Sequence, residues 1–141
     1  MATIPESARV VLDSGRLAHL ATINPDGTPH VTCVWVRAEG DEVVLTSMTR
    51  KKRYVHNLER DPHLAISVHT DHFNEHGLQE YLVVYGTAAI VDGGAAQVLT
   101  ELAAVYLGPD NNFSLGPNPP AGHLIRITPD RLGGVGAWME D

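Results

Sequence analysis

Arg50-Lys51-Lys52-Arg53 places four basic residues in succession in a chain whose formal net charge is -7. The run contains both lysines of the protein and four of its ten Lys+Arg. It follows an apolar, strand-like stretch, Val43 to Met48, and a potential helix N-cap, Thr49. A helical pattern through Tyr54, Val55 and Leu58 comes next. Free N–H groups and the positive end of the macrodipole gather at a helix start, so cations concentrated there oppose the dipole unless an anion joins them. A phosphate satisfies both the N–H groups and the Lys/Arg side chains, and such junctions are phosphate sites. The alternative for any charge run is a solvated basic face. A local cluster at a strand-to-helix junction of an acidic chain favours the anion.

Other residues with chemistry to offer form weaker patterns. His69, His72 and His76 follow one another at intervals of three and four residues, as zinc ligands on a helix do, and they are three of the eight histidines. Asp71 to Gln79 reads as a polar loop, however, and no carboxylate or cysteine is arranged to complete a shell. Surface histidines are the better reading, and no metal is expected. Cys33, the only cysteine, excludes an intrachain disulfide and sits among apolar residues, as an inert core thiol would. There is no nucleophile elbow, Walker loop or Gly-x-Gly-x-x-Gly after a strand.

The elements that position these groups read as follows. Thr3-Ile4-Pro5-Glu6 has the form of a capping box for a short helix that stops near Gly15. Leu17 to Ile23 and Pro29 to Arg37 are strands around the Asn24-Pro25-Asp26-Gly27 turn. In the second, Val34-Trp35-Val36 is apolar on both faces, so both sides call for cover. Ala38 to Glu42 turns into a third strand, Val43 to Met48. The basic helix spans about Arg50 to Arg60 and stops at Asp61-Pro62. Leu64 to Thr70 and Tyr81 to Val91 are strands, the latter with a bulge or close backbone approach at Gly86. A helix runs from Gly93-Gly94 through Tyr106 to Gly108-Pro109. The Pro/Gly/Asn-rich loop Asp110 to Gly122 suits a lid or an oligomer contact. His123 to Thr128 is the sixth strand, and a Gly-rich end carries Trp138. Hairpin order with few helices makes a mainly β protein, a small antiparallel barrel with flanking helices, in one domain over residues 1–141.

Lys52-Arg53-Tyr54-Val55-His56-Asn57-Leu58-Glu59-Arg60-Asp61-Pro62 resembles a segment of the pyridoxamine 5'-phosphate oxidase-like split-barrel proteins, in particular the branch that uses the deazaflavin coenzyme F420. Leu20-Ala21-Thr22-Ile23 with Asp26-Gly27 and Pro29-His30-Val31 is similar to that family's opening hairpin. Val84-Tyr85-Gly86-Thr87-Ala88 resembles its central glycine strand, and Arg126 to Arg131 its closing strand. The likeness covers roughly residues 8 to 136. It implies a six-stranded antiparallel split β-barrel, a homodimer, and a flavin-type cofactor in a groove shared between two subunits. By the same resemblance Lys52 and Arg53 match the basic pair that holds the cofactor phosphate. Ser47 and Met48 match positions lining the cofactor, and Thr32 to Val36, with Thr32, Val34 and Trp35, match the strand beneath its ring. Tyr54 falls where many relatives carry Lys, which leaves the register open by one or two residues. Arg50 and Lys51 are either direct ligands or partners of the acidic tail, which in F420 is a chain of glutamates.

A bound deazaflavin or flavin carries the hydride chemistry itself, so no essential acid or nucleophile is expected. Substrate would stack near Trp35 and His30. The implied activity is an F420-dependent oxidoreductase acting on a small organic molecule; FMN dependence, a non-catalytic F420 or flavin carrier, and a haem- or metal-binding member are the alternatives. An acidic chain with one basic cluster does not suit nucleic acid, which wants an extended positive face. No segment is apolar for long enough to span a bilayer, and without a secretion signal at the N-terminus a cytoplasmic protein is expected.

Overall fold

Seven strands form one antiparallel sheet in the computed structural model, which describes residues 2–140. In chain order they are β1 (Ala18–Ile23), β2 (Pro29–Val34), β3 (Arg37–Glu39), β4 (Glu42–Ser47), β5 (His63–Phe73), β6 (Gln79–Asp92) and β7 (His123–Val135). Three helices flank them: α1 (Glu6–Leu12), α2 (Arg53–Arg60) and α3 (Ala95–Tyr106). The spatial order is β2-β1-β5-β6-β7-β4-β3, so β2 and β3 are the two edges. They are also neighbours in sequence, joined by Trp35 and Val36 alone. Three Cα steps reach at most about 11 Å, which forces the sheet to roll until its edges meet at this link. Among the described residues no ladder closes it elsewhere. The result is an open, split barrel, mainly β with flanking helices.

The interior is filled by inward side chains of successive strands, among them Leu20, Val43, Leu45, Ile66, Leu82, Val84, Ile125 and Ile127. Val44, between two of them, faces the other way into a second cluster with Val98, Leu102 and Leu124, against which Trp35 and Tyr106 pack. That alternation explains why Val43-Val44-Leu45 is apolar without a break: the barrel takes one face and α3 the other. Two-sided cover of Val34-Trp35-Val36 is met in the same way. Val36 is buried in the main cluster, while Val34 and Trp35, each partly buried, pack against the main and the second cluster respectively.

Several local expectations are corrected. The strand expected to continue to Arg37 breaks at Trp35–Val36, which makes seven strands instead of six. Backbone pairing, not hydropathy, decides that break. The residues from Asp71 to Gln79 are mostly hairpin: β5 runs on to Phe73, β6 begins at Gln79, and the turn is 74–78. The turn at Ala38 to Glu42 narrows to Gly40 and Asp41, and Gly40 has a φ of 59°. No capping box forms at α1, whose N-cap is Pro5 with no side-chain bond. Nor does Thr49 cap α2. Its hydroxyl accepts the Lys51 N–H at 3.1 Å, and the helix begins at Arg53 with Lys52 as N-cap.

Gly86 fulfils both readings given to it. The pairing register shifts between Tyr85 and Gly86, leaving Asp130 as the extra residue on β7. A Cβ at Gly86 would sit 2.6 Å from Ile127 Cγ2 and 2.8 Å from the Thr128 carbonyl, closer than side chains tolerate.

Candidate functional site

The meeting point of the barrel edges opens on one side into a groove of about 300 Å³. β2 and the link supply Val34 and Trp35, the end of β4 supplies Thr46, Ser47 and Met48, and the start of α2 supplies Lys52 and Tyr54. Leu17, Cys33, Leu99 of α3 and Phe113 of the long loop complete the lining. Another hollow, of about 330 Å³, lies between α1, β3 and α3, but its Arg37 is already bonded to Glu39 and Glu101.

Two aromatic rings pack against Trp35. Tyr106 stacks on it with ring centroids 5.0 Å apart and planes 12° from parallel, and Phe113 meets it tilted at 6.0 Å. The Tyr106 hydroxyl accepts the Val36 N–H at 2.9 Å and donates to the Val36 carbonyl at 3.2 Å. It thus satisfies the backbone exactly where the sheet ladders stop. Burial pushes the Tyr106 phenol up, so the donor persists through neutral pH. At the other wall the Ser47 hydroxyl donates to the Thr49 carbonyl. Gly122, with a φ of 64°, lies against Ser47 and Met48. A Cβ there would be 2.9 Å from the Ser47 carbonyl and 3.2 Å from Met48 Sδ.

The four consecutive cations do not converge. Lys52 lines the groove, its Nζ 5.9 Å from the Tyr54 ring centroid, and burial pushes the Tyr54 phenol up. Lys51 and Arg53 turn to a separate cavity of about 500 Å³, shared with Pro25, His56 and Arg60 and lined by no acid. Arg50 is engaged elsewhere, donating to Glu59 at 2.8 Å and to Asp92 at 2.7 Å. The Arg50 bond foremost, and next a bond to the His123 ring at 3.0 Å, hold the Asp92 carboxyl below the usual range. No side chain caps α2 and no acid occupies its first turn. Its early N–H groups and the flanking lysines thus face outward without an internal anion.

Of the residues expected at the site, Val34, Trp35, Ser47, Met48 and Lys52 share the groove, while Thr32, Arg50, Lys51 and Arg53 do not line it. His30 is not in the lining either; its Nδ1 is buried without a partner. Cys33 corrects the core-thiol reading: it is exposed, because β2 turns it to the outer face opposite His19. His69, His72 and His76 fall on a hairpin instead of a helix, so their helical spacing has no geometric consequence. Among the described residues no metal-binding cluster forms. Leu17, Thr46, Tyr54, Leu99 and Phe113 went unread as site residues. Phe113 carried a signal, a lone aromatic in a loop of Pro, Gly and Asn; the others look like ordinary strand and helix positions.

The pyridoxamine 5'-phosphate oxidase family model matches residues 4–136, and the chain belongs to that family. Among solved structures, an F420 reductase is 28% identical with a TM-score of 0.71, the match covering 92% of this chain and 98% of that one. A conserved hypothetical protein from Mycobacterium tuberculosis is 24% identical with a TM-score of 0.71, over 99% of this chain and 91% of its own. General Stress Protein 26 from Bacillus anthracis is 19% identical with a TM-score of 0.63, over 89% and 88%. These last two share the fold and carry nothing further. No curated protein matches the chain. No helix among the described residues is long and apolar enough to cross a membrane.

Proposed function

We propose that the protein is an F420-dependent oxidoreductase acting on a small organic substrate. The observation that carries this reading is an apolar groove that ends at Lys52 and the uncapped start of α2, with a cavity of Lys51, Arg53, His56 and Arg60 beside it. A ring system needs the first, a phosphate the second, and an oligoglutamate tail the third. The likeness to an F420 reductase supports the same choice. When bound, reduced F420 supplies a hydride to the acceptor and is left oxidised, the second hydrogen arriving as a proton from solvent.

Each group in the chain has a part in this proposal. Val34 and Trp35 form the wall against which the ring lies, and Met48 closes the opposite side. Lys52 and the Arg53 and Tyr54 N–H groups hold the phosphate. Lys51, Arg53 and Arg60 hold the tail, while Arg50, already paired, takes no part. Thr32, on the inward row of β2 beside Val34, supports the wall from behind. A second copy of the chain completes the groove from the outer face of β1 and β2, where Leu17 is 50% and Val31 62% exposed. A strictly monomeric mass in solution would remove the shared-groove part of the proposal.

Protein-dependent oxidation of reduced F420 by at least one of a panel of enones, quinones and tetrapyrroles is the expected result. Binding without turnover across the panel would make the protein a carrier. Turnover with reduced FMN alone would make it a flavin enzyme of the same fold.

A further inference from the structure

Phe113 stands between two cavities. On one side is the groove, and on the other a chamber of about 540 Å³ lined by Gln97, Thr100 and Glu101 of α3 and by Ser114, Leu115 and Gly116 of the loop. The loop holds the ring in place. Phe113 N–H donates to Asn111 Oδ1 at 2.9 Å, Asn111 in turn donates to the Gly108 carbonyl at 2.8 Å, and the far end is tied by Ala95 N–H to the Ala121 carbonyl at 3.0 Å. Tyr106 covers one face of Trp35 and does not line the groove, so the indole turns its other side to the groove.

The two chambers differ in chemistry. Leu17, Val34, Trp35, Leu99 and Phe113 make the groove a slot for a flat apolar body. The chamber beyond offers neutral hydrogen-bonding groups. Thr100 Oγ1 donates to the Ala96 carbonyl at 2.9 Å, leaving its lone pairs free, and Ser114 Oγ accepts Gly116 N–H at 3.1 Å, leaving its hydrogen free. None of the lining residues is Lys, Arg or His, and the carboxylate present, Glu101, is bonded by Arg37 at 2.8 Å. An anionic substituent would find no unpaired cation among these residues to receive it.

We propose that Phe113 is the specificity-determining partition of a two-chamber site. The flat conjugated head of the acceptor lies against Phe113 and Leu99, leaving the Val34–Trp35 wall to the cofactor ring, and an uncharged polar substituent passes Phe113 into the chamber of Gln97, Thr100 and Ser114. This proposal rests on the oxidoreductase reading, and its test separates the two. A methylated naphthoquinone and the same ring bearing a hydroxyalkyl chain are titrated into the protein and followed by amide ¹H–¹⁵N spectra, which require no cofactor. The expected result is that both quinones move the Met48 and Leu99 amides, and only the chain-bearing one moves Gln97, Thr100 and Gly116. Phe113→Ala should weaken the bare ring about threefold to tenfold, the loss of one aromatic contact, and leave the chain-bearing quinone bound as well as before or better. Phe113→Leu, which keeps an apolar wall, should fall between. Identical shift patterns for the two quinones, equal losses in Phe113→Ala, or no binding of either would overturn the partition. Quinone binding as expected in a protein that fails to oxidise reduced F420 would instead overturn the oxidoreductase reading alone.

Discussion

Tyr106→Phe removes one oxygen and tests how the barrel edges are held. Val36 is 1% exposed and lies between the end of β2 and the start of β3, so no strand pairs with its N–H or carbonyl. The Tyr106 hydroxyl meets both, at 2.9 and 3.2 Å. A buried polar group left without a partner costs about 1–3 kcal/mol. Tyr106 is only half-buried, which lets water reach the link from one side and puts the pair near the lower end, about 2–3 kcal/mol together. The ring is retained, so its stacking on Trp35 at 5.0 Å is not part of the loss. In a chain of 141 residues that should lower Tm by about 6–10 °C. Urea unfolding at pH 7 should show an earlier midpoint with an unchanged m-value. A loss below about 0.5 kcal/mol, the range of an ordinary surface substitution, would refute the claim that this hydroxyl clamps the edges.

Further expectations concern the groove wall and the charged surface. Gly122→Ala should destabilise by about 2 kcal/mol or more, because its φ of 64° is strained for alanine and its Cβ would sit 2.6 Å from that of Ala95; a neutral thermal shift would contradict the close packing. Glu39 accepts bonds from Arg37 at 2.8 and 2.9 Å and from Arg126 at 3.2 Å. Partial burial raises its pKa, but those bonds more than offset it, and the carboxyl lies below the usual glutamate range. A depressed folded value gives stability that is present above the unfolded pKa of about 4.3 and lost as pH falls through the folded one. Glu39→Gln should therefore cost about 1 kcal/mol at pH 7 and less at about pH 3. A gap of equal size at both pH values would assign the effect to packing.

What could be read from the sequence follows the range of the forces involved. Alternation within β1, the turn at Asn24 to Gly27 and the helical spacing of α3 are local, and each is written in a few neighbouring residues. The break at Trp35–Val36 is not local. Val34, Trp35 and Val36 are all apolar, and only the rolling of the sheet decides that one joins the barrel core and another the α3 layer. The basic run shows the same limit at the site. Adjacent cations imply a shared anion, yet residues 49–52 precede the helix, and each backbone step there sends the next side chain in a new direction. Lys52 goes to the groove, Lys51 to the neighbouring cavity, and Arg50 to Glu59 and Asp92, which lie 9 and 42 residues away in sequence. Phe113 and Leu99 reach the groove through the path of a long loop and the docking of α3, neither of which has a sequence period.

The most direct measurement is an equilibrium titration of the purified protein with F420 and with FMN, repeated for Lys52→Ala and Arg50→Ala at low and high salt. F420 should bind more tightly than FMN, and its affinity should fall about tenfold in Lys52→Ala, the loss of one charge-assisted phosphate bond. That fall should be larger at low salt, and Arg50→Ala should leave affinity almost unchanged. Failure of the wild-type protein to bind F420, or an affinity indifferent to Lys52, would contradict the assignment of the groove.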